Sequence, residues 1–147
     1  MRIQAVLLAV LLMACGDGGG PDEDAFVARF EASFGQCYGI CYYRLDVASD
    51  GSAEVAYAER KGARESKQTF LLRQSELDGL LEDAALARTE TWAPVYGCPD
   101  CVDQGRYSLK LADKGEVREA MVDPMFMPAH LSPMILRLTG VLVRSLR

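Results

Sequence analysis

The chain has 147 residues, 16 basic and 21 acidic, giving a net charge of −5 with a single histidine. A mildly acidic chain with no Lys/Arg cluster has nothing with which to neutralise phosphates, so nucleic acid is not an expected partner. The length is that of one domain, enough to bury roughly two-thirds of the unfolded surface and to fold without covalent staples.

Residues 1–14 read as a secretory signal. Met1-Arg2 is a minimal basic start, and Ala5 to Ala14 is an apolar run closing on a small residue. That run is too short to remain in a bilayer as a spanning helix. Leu12-Met13-Ala14-Cys15 resembles the bacterial lipobox. The resemblance implies cleavage before Cys15, diacylglycerol on its thiol and an acyl group on the new amine. At about 0.8 kcal/mol per buried methylene, two or three such chains anchor a protein almost irreversibly. The alternative is an ordinary cleaved signal with a chance cysteine. Gly16 stands where an aspartate would resemble an inner-membrane retention signal. The expected address is therefore the outer membrane of a bacterial envelope, facing the periplasm or the surface. Loss of residues 1–14 removes Arg2 and takes the net charge from −5 to −6.

Cys15 to Asp24 is a glycine-rich acidic linker, with a reach of at most about 30 Å. Residues 25–147 form the single expected domain. Phe26 to Phe34 alternates apolar and polar over nine residues, which predicts a strand with one buried face. Good helix formers and Gly35 also suit a short helix there. After Cys37 and Cys41, Tyr43, Leu45 and Val47 share one face and Tyr42, Arg44 and Asp46 the other. Ser49-Asp50-Gly51-Ser52 is a turn signal, and Ala53 to Glu59 returns as the partner strand. A charged turn around Gly62 leads to a third strand at Gln68 to Arg73.

Ser75-Glu76-Leu77-Asp78 reads as a capping box opening a helix with Leu77, Leu80, Leu81 and Ala84 on one face. Gly79 should weaken that helix by about 1 kcal/mol without breaking it. Trp92 and Val95 fall on an irregular or edge segment limited by Pro94. Cys98-Pro99-Asp100-Cys101 is a tight loop. Arg106 to Ala112 and Glu116 to Val122 then make a hairpin through Asp113-Lys114-Gly115, stopped by Asp123-Pro124. Ser132-Pro133 starts a last helix, with serine as the cap. Its apolar stripe is Leu131, Met134, Ile135, Leu138, Val141 and Leu142. Strands, helix, hairpin, helix predict an α+β domain, an antiparallel meander plus a hairpin with two helices packed on one face.

Cys37, Cys41, Cys98 and Cys101 are the one cluster with chemistry in reach, and each pair precedes a predicted strand. Three readings compete. An oxidising compartment favours two structural disulfides, for which four cysteines permit three connectivities. Loop-closure entropy favours long-range bridges, about 4 kcal/mol for a loop near sixty residues against about 2 for one of four or five. The second reading is a zinc site, since Cys-x3-Cys and Cys-x2-Cys supply four thiolates at nearly the spacing of a tetrahedral structural metal. The third is thiol–disulfide exchange at Cys98 and Cys101. Such motifs lower a thiol pKa at a helix N-terminus, whereas a strand is predicted to follow here.

Cys37-x-Gly39-x-Cys41-x-Tyr43, the Asp50-Gly51 turn and Val55-x-Tyr57 resemble a bacterial domain of unknown function. In that family of secreted proteins and lipoproteins the motif reads Cys-x-Gly-x-Cys-Pro-x-Tyr, and Tyr42 departs from it. The resemblance spans roughly Phe26 to Leu142 and implies the meander and its first strand. It also implies local pairing, Cys37 with Cys41 and Cys98 with Cys101, because the first pair often occurs there without the second. The family has no assigned activity, so no mechanism carries over.

Other chemistry finds little support. His130 stands without a nucleophile-elbow serine and reads as a solvated residue near a helix start. Glu82-Asp83 and Asp22-Glu23-Asp24 read as solvated acids. Tyr42, Tyr43, Tyr57 and Tyr107 read as packing on half-buried strands. The sequence thus describes a lipid-anchored envelope protein, a binding or structural module more than an enzyme, with membrane contact through its lipid and no cofactor. The alternative is a thiol-redox or zinc-binding lipoprotein using Cys37, Cys41, Cys98 and Cys101.

Overall fold

The computed structural model describes residues 27–101, 103–113 and 115–147. The signal, Cys15, the linker acids Asp22, Glu23 and Asp24, and Phe26 lie outside these. The elements in order are β1 (Val27–Ser33), β2 (Tyr42–Ala48), β3 (Ser52–Ala58), β4 (Ser66–Leu71), α1 (Gln74–Ala87), β5 (Val95–Tyr96), β6 (Arg106–Asp113), β7 (Glu116–Val122) and α2 (Ser132–Ser145). The seven strands form one sheet in the order β4-β3-β2-β1-β6-β7-β5, antiparallel except where β5 runs parallel to β7. The fold is α+β.

The alternation of β1 sets the middle of this sheet. Phe30 faces Leu45 on one side and Leu109 on the other, and Ala28 faces Val47 and Leu111. These rows form one buried face, continued by Val55, Ala120 and Val122. Leu77, Leu80, Ala84 and Ala87 of α1 join the same core, as does the whole predicted stripe of α2. Both helices therefore pack on one face. The other face carries Arg29, Glu31, Arg44, Asp46, Glu54, Lys61 and Lys67, joined in ion pairs. Arg44 bridges Asp46 at 2.9 Å and Glu65 at 3.0 Å. Burial alone would lower its pKa, but those two carboxylates hold it above the usual arginine range. Charges matched this closely leave the open face near neutral.

Several local details differ from the sequence reading. The third strand of the meander is Ser66–Leu71, two residues earlier than expected, which leaves Leu72 to bond back to Gly51 and Arg73 to cap α1. Ser75 does not cap. Glu76 instead reaches back to the Arg73 amide at 3.0 Å, taking the carboxylate half of the box two positions earlier than Asp78. At α2 the residue before the first turn is Leu131, with no side-chain cap, and Ser132 is already helical. Pro133 still sits in the first turn, where a missing N–H costs nothing. Leu81 is 42% exposed, because the buried face of α1 rotates towards Asp83 and Ala87.

Asp83 is not solvated. It is 8% exposed and accepts from Arg137 of α2 at 2.5 Å. Gly79 explains how that is possible, since a Cβ there would occupy the space of the Arg137 guanidinium. The helix weakness at Gly79 is thus the opening through which an ion pair ties α1 to α2.

Glu76 is the second tie between the helices. Arg73 donates to it at 2.7 Å and Arg144 of α2 also at 2.7 Å. The Arg73 hydrogen bond, opposed by partial burial and helped by the Arg73 amide and the Arg144 charge, holds the Glu76 carboxyl down at about 2, against an ordinary 4.5. A depressed folded pKa means stability that is complete above about pH 4.5 and is lost as pH falls towards 2. Because Arg73 is 69% exposed, solvent screens much of it. Glu76→Gln should cost about 1–2 kcal/mol at neutral pH and flatten the loss of stability between pH 5 and 2. Denaturant midpoints of both proteins across that range measure this.

Candidate functional site

The C-terminal end of β1 gathers what the sequence singled out. Ser33 pairs with Tyr42 at the start of β2 and with Arg106 at the start of β6. The loop carrying Cys37 and Cys41 and the loop carrying Cys98 and Cys101 therefore rise from the same end of the sheet. The close pairs are Cys37 with Cys41, Cα atoms 5.8 Å apart, and Cys98 with Cys101, 5.4 Å apart, both at disulfide distance. Both close pairs are local in sequence. Among the described residues, no three His, Cys, Asp or Glu side chains converge on a point where a metal could sit. The Cys98–Cys101 loop leads into strand β6, so no helix N-terminus stabilises a thiolate there.

The first loop is held by backbone hydrogen bonds and the second by one buried acid. The Cys41 carbonyl accepts from the Phe34 amide at 2.9 Å, and the Cys41 amide donates to Ala58 at 3.1 Å. Gly39 turns the first loop at φ +85, a region open to glycine at no steric cost. In the second loop Asp123, 8% exposed, accepts from the Cys98 amide at 3.2 Å and from Met125 at 2.8 Å. Asp123 is the residue that sequence reasoning passed over, seen there only as a strand stop. Its Asx-Pro setting was the available signal, because such side chains bond the backbone two residues on. Tyr38, Met125 and Phe126 stand at 105%, 81% and 63% exposure on this rim.

Beneath the rim, on the helix face, lies a cleft of roughly 320 Å³. Its origin is a size mismatch. Ala32 sits between Tyr43 and Tyr107 across the central strands, and the small side chain leaves a notch between two rings. Phe30 packs against Tyr107 with ring centroids 5.1 Å apart and closes the floor. Leu142 from the last turn of α2 and Leu146 just after it form the roof. The Tyr43 hydroxyl donates to the Ile40 carbonyl at 3.2 Å, which couples one wall to the Cys37–Cys41 loop. The lining is apolar apart from tyrosine and threonine hydroxyls and Arg147.

The tyrosines divide by face. Tyr43, Tyr57 and Tyr107 lie on the helix side, the first and last in the cleft wall. Tyr42 lies on the open side yet is only 2% exposed, under Lys61 at 5.8 Å from its ring. Burial, then the nearby Glu31 charge, pushes its hydroxyl pKa up.

His130 corrects the sequence reading. It is 6% exposed, not solvated, with Nε2 3.3 Å from the Tyr96 hydroxyl and Nδ1 3.4 Å from Glu90. The Tyr96 hydroxyl also accepts from the Ala93 amide at 2.9 Å. These contacts fasten the segment between α1 and β5 onto the start of α2, and the 320 Å³ cleft does not reach them. The arrangement is a buried polar clasp. No family model matches the chain, and no curated protein matches it.

Proposed function

We propose that this chain is exported, fastened to a bacterial envelope membrane through lipid on Cys15, and acts as a binding module through the cysteine end of its sheet. The observation that carries the binding part is the apolar cleft between the β1 end and α2. Ligand sites are typically concave, apolar and few, with a small number of placed polar groups. The locally paired cysteines add to the reading, since exposed loops of four or five residues are stiffened by such links. The lipobox resemblance of Leu12 to Cys15 supports the anchor, and no helix among the described residues is long and apolar enough to cross a membrane.

The test is fractionation combined with a thiol and metal count. The native protein should sediment with envelope membranes and the Cys15→Ser variant should not. Unreduced native protein should carry no bound metal while folded, and should show no free thiol when then unfolded in denaturant. A Cys15→Ser variant that stays with membranes removes the anchor from the reading. Four free thiols with one zinc per chain would replace the binding module by the zinc lipoprotein using Cys37, Cys41, Cys98 and Cys101.

A further inference from the structure

The two margins of the sheet differ. At one margin β5 is two residues long, the Met121 amide donates to the Pro94 carbonyl at 2.9 Å, and Arg118 donates to the Arg88 and Glu90 carbonyls. The segment after α1 thus closes that side. At the other margin β4 runs for six residues and, among the described residues, no strand lies beyond it. Antiparallel ladders alternate residues that bond their neighbour with residues that face away from it. The Leu72 amide donates to Gly51 at 2.9 Å, which sets the phase. Ser66, Gln68 and Phe70 bond β3, while Lys67, Thr69 and Leu71 turn their N–H and C=O groups outward. Among the described residues, no backbone hydrogen bond from outside β3 and β4 reaches those outward groups. The edge is open to solvent, with Leu71 at 72% exposure.

We infer that β4 is a docking edge for a second copy of this chain, which adds its own β4 antiparallel with Thr69 opposite the partner's Thr69. An unpaired edge is a template for an extended strand, and this edge is complementary to itself. With Thr69 at the two-fold axis, Lys67 meets the partner's Leu71 and Leu71 meets the partner's Lys67. Every outward group of both strands is then bonded at once. A shift of two residues either way leaves Leu71 or Lys67 of each copy without a partner in β4. A shift of one sets outward groups against inward ones. Charge selects the same register. It places Glu65 level with the partner's Arg73, whereas registers that set Lys67 opposite the partner's Arg73 or Lys67 bring like charges together. The aliphatic stem of the partner's Lys67 covers the exposed Leu71, and threonine opposite threonine is a favourable cross-strand pair. Six residues a side fall short of a standard interface. The dimer is therefore reversible, with a Kd on the order of 10 µM.

Single cysteines placed along β4 of the full chain test the register, because opposed residues of a hydrogen-bonded pair lie about 5.5 Å apart, within disulfide reach. Under mild oxidation of the purified protein, Thr69→Cys should form covalent dimer roughly tenfold faster than Lys67→Cys or Leu71→Cys, whose own copies lie about 14 Å off. The unsubstituted protein, treated alike, sets the background. Sedimentation equilibrium in density-matched detergent supplies the second measurement. The unsubstituted protein should pass from monomer to dimer between about 1 and 100 µM. Thr69→Pro removes an outward N–H and no bond within the chain, so it should stay monomeric over that range with its fold intact. A protein that is monomeric at about 100 µM overturns the inference. Equal cross-linking at the three positions overturns the register and, with it, the choice of a second copy. A dimer that survives Thr69→Pro in a folded chain overturns the assignment to this edge. Should Thr69→Pro fail to fold, the order of cross-linking decides alone.

Discussion

Replacing Phe30 with alanine should destabilise the domain by about 4 kcal/mol, the largest loss expected from a single truncation here. Phe30 is 0% exposed on β1, the fourth of seven strands, so it has neighbours on both sides and helices above. Leu45 and Leu109 flank it in register, and Tyr107 tilts against its ring. Removing the ring forfeits its transfer free energy and leaves a hole that a seven-stranded sheet cannot collapse to fill. Domains of this size have only about 5–15 kcal/mol in total, so the variant should lie close to the unfolding threshold. Phe70→Ala is the comparison. It sits on edge strand β4, partly exposed, and should cost about 1–2 kcal/mol. Chemical denaturation of both variants decides it. Equal losses would mean that β1 is not the centre of the core.

Gly105→Ala should cost about 3 kcal/mol or more, for two separable reasons. Gly105 has φ +74, a conformation that costs roughly 1 kcal/mol for any residue with a Cβ. A methyl group there would also run into the Ser33 carbonyl oxygen and the Phe34 backbone, both well inside van der Waals contact. Backbone cannot swing aside as a side chain can, so the β6 start would have to part from the end of β1. Gly62→Ala separates the two effects. Gly62 has φ +85 but nothing within 4 Å of an added Cβ, so only the conformational part remains. The pair should differ by about 2 kcal/mol, or roughly 8 °C in thermal midpoint. A Gly105→Ala loss no larger than that of Gly62→Ala would show that the close approach of β6 to β1 is not a constraint.

The cleft and the cysteine end were only half legible. Tyr43, Tyr107 and Leu142 were each recognisable as core-facing from spacing alone. Nothing in that spacing says that Tyr43 and Tyr107 flank the same alanine, because they stand sixty-four positions apart and meet only through β1. His130 and Asp83 were misjudged as solvated for a related reason. Polar residues are assigned to the surface by default, and the partners that admit them to the interior, Tyr96 and Arg137, come from distant elements. Asp123 escaped notice because a turn-forming aspartate looks the same whether or not it also holds a second loop.

The strands of the meander, the hairpin, both helices and the buried stripe of α2 were written in the sequence by itself. These follow from short-range periodicity, in which a period of two or of 3.6 residues decides which side chains turn inward. Tertiary structure alone decided that β6 lies against β1, which makes the first strand the middle one and brings both cysteine loops to one end. It also decided that α1 and α2 are tied through Asp83, Glu76 and their arginines. The physical reason is that burial is non-directional. An apolar face states that it must be covered, and only the geometry of the whole chain selects which other face covers it.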